Sequence, residues 1–388
     1  MVKCEFILGG NMKLIYGFTA ILILITLIGM GTYFYILIRK AAKLITRNTD
    51  RRLIRNGATL AISALIFLCI FINKSSVIFI IYFFMFSLII DAIHLIAKKF
   101  HKKENTFSKI WSRVHNIYII PAILTIIMMI YGHYNIMHVD KTAYTITTDK
   151  NIREEGYRIG MIADLHFGST IDLKELENIC QEINSQDIDI MVLCGDIVDE
   201  NTSAEILSPL FEILGNIKAT LGTYFVYGNH DCQPYSSNPA YTKEDLAKAI
   251  TDNNITILED KVITLTDDFV IAGRNDYSHA NSSSRISLDE LLKDINHDDF
   301  ILILDHQPQE YKENGEFGTD LLLSGHTHAG QFWPLNYLLE LVPYNDGTYG
   351  LTKIKNTTAI ITSGISGWGF PYKTSADSEY VIIDIKPE

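Results

Sequence analysis

Two hydrophobic rhythms run along this chain. Up to about residue 138 the apolar stretches are long and nearly free of charge: Leu14–Ile38, Gly57–Asn73, Val77–Ala97, broken by Asp91 alone, and Ile117–Met137. Each reaches or approaches the roughly 20 residues that carry a helix across the hydrocarbon core of a bilayer. A helix resting on a surface keeps a polar face, and these runs have none. The pattern predicts four transmembrane helices, at about 14–38, 57–73, 77–97 and 117–137. The first run is too long for the apolar part of a signal peptide, and no small-residue cleavage site follows it.

Beyond about Thr142 the rhythm changes. Short runs rich in Ile, Val, Leu and Phe recur at Arg158–Ala163, Ile188–Cys194, Thr223–Tyr227, Phe269–Ala272, Phe300–Leu304, Leu321–Ser324, Thr358–Thr362 and Tyr380–Ile385. Such runs predict buried strands. Between them, Leu173, Leu176, Ile179, Cys180 and Ile183 follow helical spacing, as do Leu207, Leu210, Phe211 and Leu214, then Leu246 and Ile250, and the run Leu288–Ile295. Thr242 and the Ser287/Glu290 pair stand where helix caps belong. The alternation predicts a layered α/β domain.

Charge follows the same division. Residues 1–138 hold 16 Lys/Arg and 4 Asp/Glu, a net of +12; residues 139–388 hold 17 and 41, a net of −24; the two sum to the chain's −12. The basic residues of the first part concentrate in two loops, Arg39 to Arg55 and Lys98 to Arg113. Short loops rich in Lys and Arg stay in the cytoplasm. A multi-pass protein of the cell membrane is therefore expected, with a membrane domain over 1–138 and an acidic domain over 139–388 on the extracytoplasmic side. Its acidity argues against a nucleic-acid partner. Asp91 and His94 lie near the cytoplasmic end of the third span, within reach of headgroups. With 48% hydrophobic residues and 5 Cys, the chain is neither a disordered nor a disulfide-framework protein. A Cys180–Cys232 disulfide stays open as an option outside the cytoplasm.

Polar clusters sit directly after many of the predicted strands. Asp164, Leu165 and His166 follow the first, Gly195, Asp196 and Asp199 the second, and Gly228, Asn229, His230 and Asp231 the third. Asp305 and His306 follow Phe300–Leu304, and Gly325, His326 and His328 follow Leu321–Ser324. In layered α/β folds ligands gather at the carboxyl ends of strands. A mixed His/Asp/Asn set suits borderline or hard divalent metals. His326 and His328, two apart on an extended segment, point the same way.

The ordered series D-x-H, G-D-x-x-D, G-N-H-D, H-x-P and G-H-T-H resembles the calcineurin-like metallophosphoesterase superfamily, over essentially all of residues 155–388. The N-terminal apolar helices make the plan similar to its membrane-anchored, bacterial-type branch. The resemblance implies a four-layer αββα sandwich, here preceded by a four-helix transmembrane domain. It implies two divalent metal ions, with Mn, Zn, Fe and Co not told apart by the ligand set. By position, Asp164, His166, Asp196 and His328 would hold the first ion. Asp196 would bridge, and Asn229, His306 and His326 would complete the second. His230 would be the catalytic histidine, with Asp199 orienting it and Asp231 behind the ligands. Asp305 departs from the family, where a small residue is frequent, and Lys373 stands where relatives often carry Arg.

Other residues are candidates for substrate contact. Arg274, Asn275 and Asp276 follow the Phe269–Ala272 strand, and Trp368 and Lys373 belong to a Gly-rich segment that begins at Gly364. The expected activity is hydrolysis of a phosphodiester or pyrophosphate by a metal-bridging hydroxide. Candidate substrates include a phospholipid or a nucleotide-linked lipid, and the expected partners are that phosphate ester and membrane lipids. The alternative is a metal-binding sensor or scaffold without turnover.

Overall fold

The computed structural model describes residues 29, 31–39, 57, 73–100, 106–278, 285–341 and 345–388. The chain forms two units, Met1–Ile130 and Tyr131–Glu388. Two helices among the described residues, Lys74–Phe100 and Ile119–Met137, are long and apolar enough to cross a membrane. They contain the third expected span and nearly all of the fourth. The expected spans 14–38 and 57–73 lie largely outside the described residues, and a four-helix transmembrane domain is not established by the two helices seen.

Asp91 does not stand alone in its helix. Its carboxylate accepts hydrogen bonds from Tyr33 Oη at 2.8 Å, His115 Nε2 at 2.7 Å and Tyr118 Oη at 3.1 Å. Trp111 Nε1 donates to His94 Nδ1 at 3.0 Å. These bonds tie the amphipathic helix Thr106–Asn116 to the helix Lys74–Phe100, and satisfying a carboxylate this way is what a low-dielectric setting demands.

The second unit contains twelve described strands: β1 (Val139–Thr148), β2 (Tyr157–Ile162), β3 (Ile190–Cys194), β4 (Thr223–Val226), β5 (Ile255–Ile257), β6 (Lys261–Thr266), β7 (Phe269–Gly273), β8 (Phe300–Leu304), β9 (Leu321–Ser324), β10 (Gly350–Ile354), β11 (Thr357–Ile361) and β12 (Ser378–Pro387). They form two six-stranded mixed sheets, ordered β1-β12-β2-β3-β4-β5 and β10-β11-β9-β8-β7-β6. β2, β3, β4 and β5 run parallel, as do β7, β8, β9 and β11.

Side-chain alternation within a strand explains the layering. In β3, Ile190, Val192 and Cys194 join a core that also takes Phe269, Ile271, Phe300, Leu302, Leu321 and Leu323 of the other sheet. Met191 and Leu193 point the opposite way, into a core with Leu176, Ile179, Leu210, Phe211, Leu246 and Ile250. Those residues lie on the helices Leu173–Asn184, Ala204–Gly215 and Lys243–Asp252. On the second sheet, Ile301, Ile303 and Leu322 meet Leu288, Leu292 and Tyr311. Strands buried on both faces become continuous apolar runs, which is why the central strands are legible in the sequence. Thr242 forms the expected cap with Asp245. The run Leu288–Ile295 is helical only over Leu288–Leu291, where Ser287 accepts from the Glu290 backbone. Cys180 and Cys232 are free thiols, so the disulfide option is not realised.

Candidate active site

The parallel strands β2, β3, β8 and β9 end together, and their following residues turn inward. Asp164, His166, Asp196, His326 and His328 all adopt positive φ, between 40° and 71°. Such backbone is costly for residues with a Cβ and clusters where the chain must aim side chains at one point. Gly195 permits a close approach: with φ +80, a Cβ there would lie 2.5 Å from His306 Nδ1. Asp231 fastens two of these turns. Its carboxylate accepts from the backbone N–H groups of Asp196 at 2.9 Å, Ile197 at 2.9 Å, Val198 at 3.1 Å and Gly228 at 2.7 Å.

Two groups of ligand atoms result, Asp164, His166 and His328 in one and Asp196, His306 and His326 in the other, each with its ligand atoms within 4.8 Å of one another. His166 Nε2 and His328 Nε2 face each other at 3.3 Å. Asp196 Oδ2 lies 3.7 Å from His166 Nε2 and 3.1 Å from His306 Nε2, so it stands between the two groups. Its other oxygen accepts from the His230 backbone N–H at 2.8 Å. His306 Nδ1 donates to the Cys194 carbonyl at 2.8 Å, which fixes the tautomer and leaves Nε2 as a lone pair. That atom and Asn229 Oδ1 are buried without a hydrogen-bond partner. Buried acceptors are seldom left so. Orphaned lone pairs converging beside two carboxylates fit a pair of divalent cations.

The electrostatics point the same way. Burial pushes the Asp164 carboxyl up to about 6, against the pull of His306. Burial would raise Asp196 too, but His306 and His166 overcome it and hold that carboxyl well below its usual range. Burial pushes His326 down to about 3, with His306 adding to the shift. Burial would lower His306 and His166, but Asp196 raises His306 well above its usual range and Asp199 raises His166, so the site draws positive charge to itself.

Several expectations need correction. Asp199 does not orient His230: its Oδ2 lies 3.5 Å from His166 Nδ1. Glu200 takes that place, with Oε2 2.8 Å from His230 Nδ1. The sequence offers no signal for this beyond adjacency, since only the turn after β3 decides which carboxylate swings toward the third cluster. Arg274 and Lys373 do not face a substrate. Arg274 is 1% exposed; its Nη2 donates to Ile286 O at 2.8 Å and its Nη1 pairs with Glu310 at 3.0 Å. Lys373 is fully buried, and its ammonium donates to the carbonyls of Ser363 at 2.6 Å, Gly364 at 2.8 Å and Ser366 at 3.3 Å. Burial pushes Lys373 down to about 7, with Glu379 and Asp164 opposing.

Asp276 is buried and accepts from Gln307 Nε2 at 3.0 and 3.1 Å. Asn275 donates its backbone N–H to Asp260 at 3.0 Å. Asp305 is buried and pairs with Arg285. Trp368 does reach the site: its ring centroid lies 5.2 Å from that of His230. Tyr235, not foreseen, lies 5.0 Å from His230 on its own account.

A family model described as calcineurin-like phosphoesterase matches residues 157–330, from the first residue of β2 to the turn that holds His328. The chain carries a calcineurin-like metallophosphoesterase domain. The domain is similar to an uncharacterized metallophosphoesterase of Helicobacter pylori, at 31% identity over 60% of this chain and 60% of that one. An uncharacterized metallophosphoesterase of Campylobacter jejuni is 27% identical over 78% of each chain. A transmembrane protein with metallophosphoesterase domain from Danio rerio is 28% identical over 69% of this chain and 62% of its own. The match thus spans about three fifths of the Helicobacter relative.

Proposed function

We propose that this chain is a membrane-anchored phosphoesterase that hydrolyses a phosphodiester or pyrophosphate with the help of two divalent metal ions, with a phospholipid or nucleotide-linked lipid as candidate substrate. One observation carries the reading: Asp196 Oδ2 lies between two convergent ligand groups, and the carboxylate's other oxygen accepts from the His230 backbone N–H. Asp164, His166, Asp196 and His328 would hold one ion, and Asp196, Asn229, His306 and His326 the other. Two ions bound there supply positive charge for the phosphoryl oxygens and a water of lowered pKa.

The protein's own part begins with His230. Glu200 accepts the Nδ1 proton of His230, so in the imidazolium form the second proton, on Nε2, is the one aimed at substrate. As the bond from phosphorus to the leaving oxygen breaks, that proton passes to the leaving oxygen while a water-derived hydroxyl joins phosphorus. Asp231 keeps the turns of Asp196 and His230 in register through its four backbone bonds. Trp368 and Tyr235 bound the space beside His230.

The multi-pass, outward-facing topology belongs to the same proposal and is supported by the basic loops and by the two apolar helices. The test is hydrolysis of an aryl phosphodiester by chelator-stripped protein, with and without Mn, Zn, Fe, Co or Mg. Activity restored by metal supports the reading. Metal uptake without hydrolysis under every condition leaves the sensor alternative standing in its place. Protease added to intact cells checks topology: a C-terminal domain as protected as a cytoplasmic marker rules out the outward assignment.

A further inference from the structure

The last residues of the apolar helix Ile119–Met137 belong to the catalytic unit, which begins at Tyr131. Whatever bilayer that helix enters meets the unit there. The helix end is bonded into the segment 364–376. Lys373 N–H donates to Gly132 O at 2.9 Å, and Asn135 Nδ2 donates to Lys373 O at 3.1 Å and Ala376 O at 2.6 Å. Ile136 is fully buried, and a Cβ on Gly367 would lie 2.9 Å from its Cδ1. The next residue, Trp368, stands beside His230. Helix end, segment and active-site histidine therefore form one continuous path.

The same segment is stitched to a second element. Thr374 N–H donates to Gln331 O at 2.8 Å, and Trp333 N–H donates to Thr374 Oγ1 at 3.0 Å. Gln331 Nε2 donates to the carbonyls of Trp368, Phe370 and Tyr372 at 3.1 to 3.3 Å. Directly after Trp333 comes the short helix Leu335–Leu339, none of whose residues is buried. Leu341 is 79% exposed, Tyr337 58% and Leu338 54%. On the helix end, Tyr134 is 62% exposed. Large apolar side chains this exposed within one short element mark an interaction surface. Tyrosine and tryptophan are the side chains suited to a headgroup layer, with an apolar body and a polar tip.

We propose that Leu335, Tyr337, Leu338 and Leu341, on the element stitched through Trp333 to the segment that carries Trp368 and holds the helix end, form a rim that docks on the bilayer surface and opens the metal site toward lipid headgroups. The occupant is the bilayer into which the apolar helix runs, because the end of that helix is hydrogen-bonded to the segment that joins the rim to the site. The substrate is then a phosphate ester carried in the headgroup layer and reached without leaving it. This rests on the phosphoesterase reading for its substrate, but not for the docking itself.

Two measurements on the full chain in nanodiscs of phosphatidylethanolamine and phosphatidylglycerol separate the two. A phospholipid with a photoactivatable acyl chain should label residues 335–341 by mass spectrometry, with label on the Ile119–Met137 helix as control. Label on that helix with none on 335–341 overturns docking, whether or not the protein turns over. The double variant Leu338→Asp/Leu341→Asp should lose the 335–341 label. It should also cleave bilayer phospholipid about tenfold more slowly while cleaving a water-soluble aryl phosphodiester at the unaltered rate. Equal rates on the bilayer substrate overturn the delivery role. Absence of any metal-dependent hydrolysis in the unaltered protein sinks the phosphoesterase reading and leaves the photolabel to judge the rim.

Discussion

Two buried polar clusters adjoin at the end of β8, and they are built on opposite principles. Asp305 is buried against Arg285, and Arg274 and Arg285 share Glu310 at 3.0 and 3.9 Å. That cluster brings its own positive charge. The neighbouring one begins a single residue later, at His306, and gathers carboxylates and imidazoles. Both hold buried polar atoms without a hydrogen-bond partner, Arg285 Nη1 and Asp305 Oδ1 in the first, His306 Nε2 and Asn229 Oδ1 in the second. The difference teaches how to read buried charge. A cluster whose acids and bases balance one another is complete in charge, whereas one that draws carboxylates, imidazoles and an amide oxygen together fits a cation from outside the chain.

Substitutions test that contrast, beginning with the strongest. Asp196→Asn removes the shared carboxylate; hydrolysis should fall to the level of metal-stripped protein, and elemental analysis should show reduced bound metal. His230→Ala should keep its metal and lose about 10²–10⁴-fold in turnover. If turnover persists undiminished, His230 is not the proton donor. Glu200→Gln is gentler, with about tenfold loss on an ester with a poor leaving group and little on an aryl ester, which needs no proton. Comparable losses on both esters would make Glu200 a packing residue. Arg274→Met should leave turnover nearly unaltered at low temperature but destabilise the fold by about 3–5 kcal/mol, as breaking a buried pair does. Denaturant unfolding measures it, and a large loss of turnover in the folded variant would return Arg274 to the site.

The sequence disclosed central strands and concealed edges. The eight strands legible as apolar runs are β2, β3, β4, β7, β8, β9, β11 and β12, all interior to their sheets. The four that went unread, β1, β5, β6 and β10, are the four sheet edges. β1 and β10 are largely exposed, and Thr and Lys stand where a buried strand would carry Ile or Val. Their β-branched residues suit a strand, but without a continuous apolar run they do not announce one. The metal-ligand candidates were legible for the converse reason. Polar residues directly after buried strands have few other places to go, so their grouping followed from topology alone. Arg274 and Lys373 misled because the partners that absorb their charge, Glu310 and the Ser363 to Ser366 carbonyls, come from other segments. Glu200 stayed hidden because adjacent carboxylates differ only in how the turn is wound.

The buried Ile136 and the amide of Asn135 bear on how a soluble version of this protein should be cut. Charge changes sign at His138, which invites a fragment beginning at Val139. Such a fragment would strip the cover from Gly367 and release the Lys373 and Ala376 carbonyls that Asn135 holds. The electrostatic seam and the mechanical seam of the chain are not in the same place. A fragment that begins at Tyr131 keeps the catalytic unit whole, including a helix stub whose composition would otherwise assign it to the membrane.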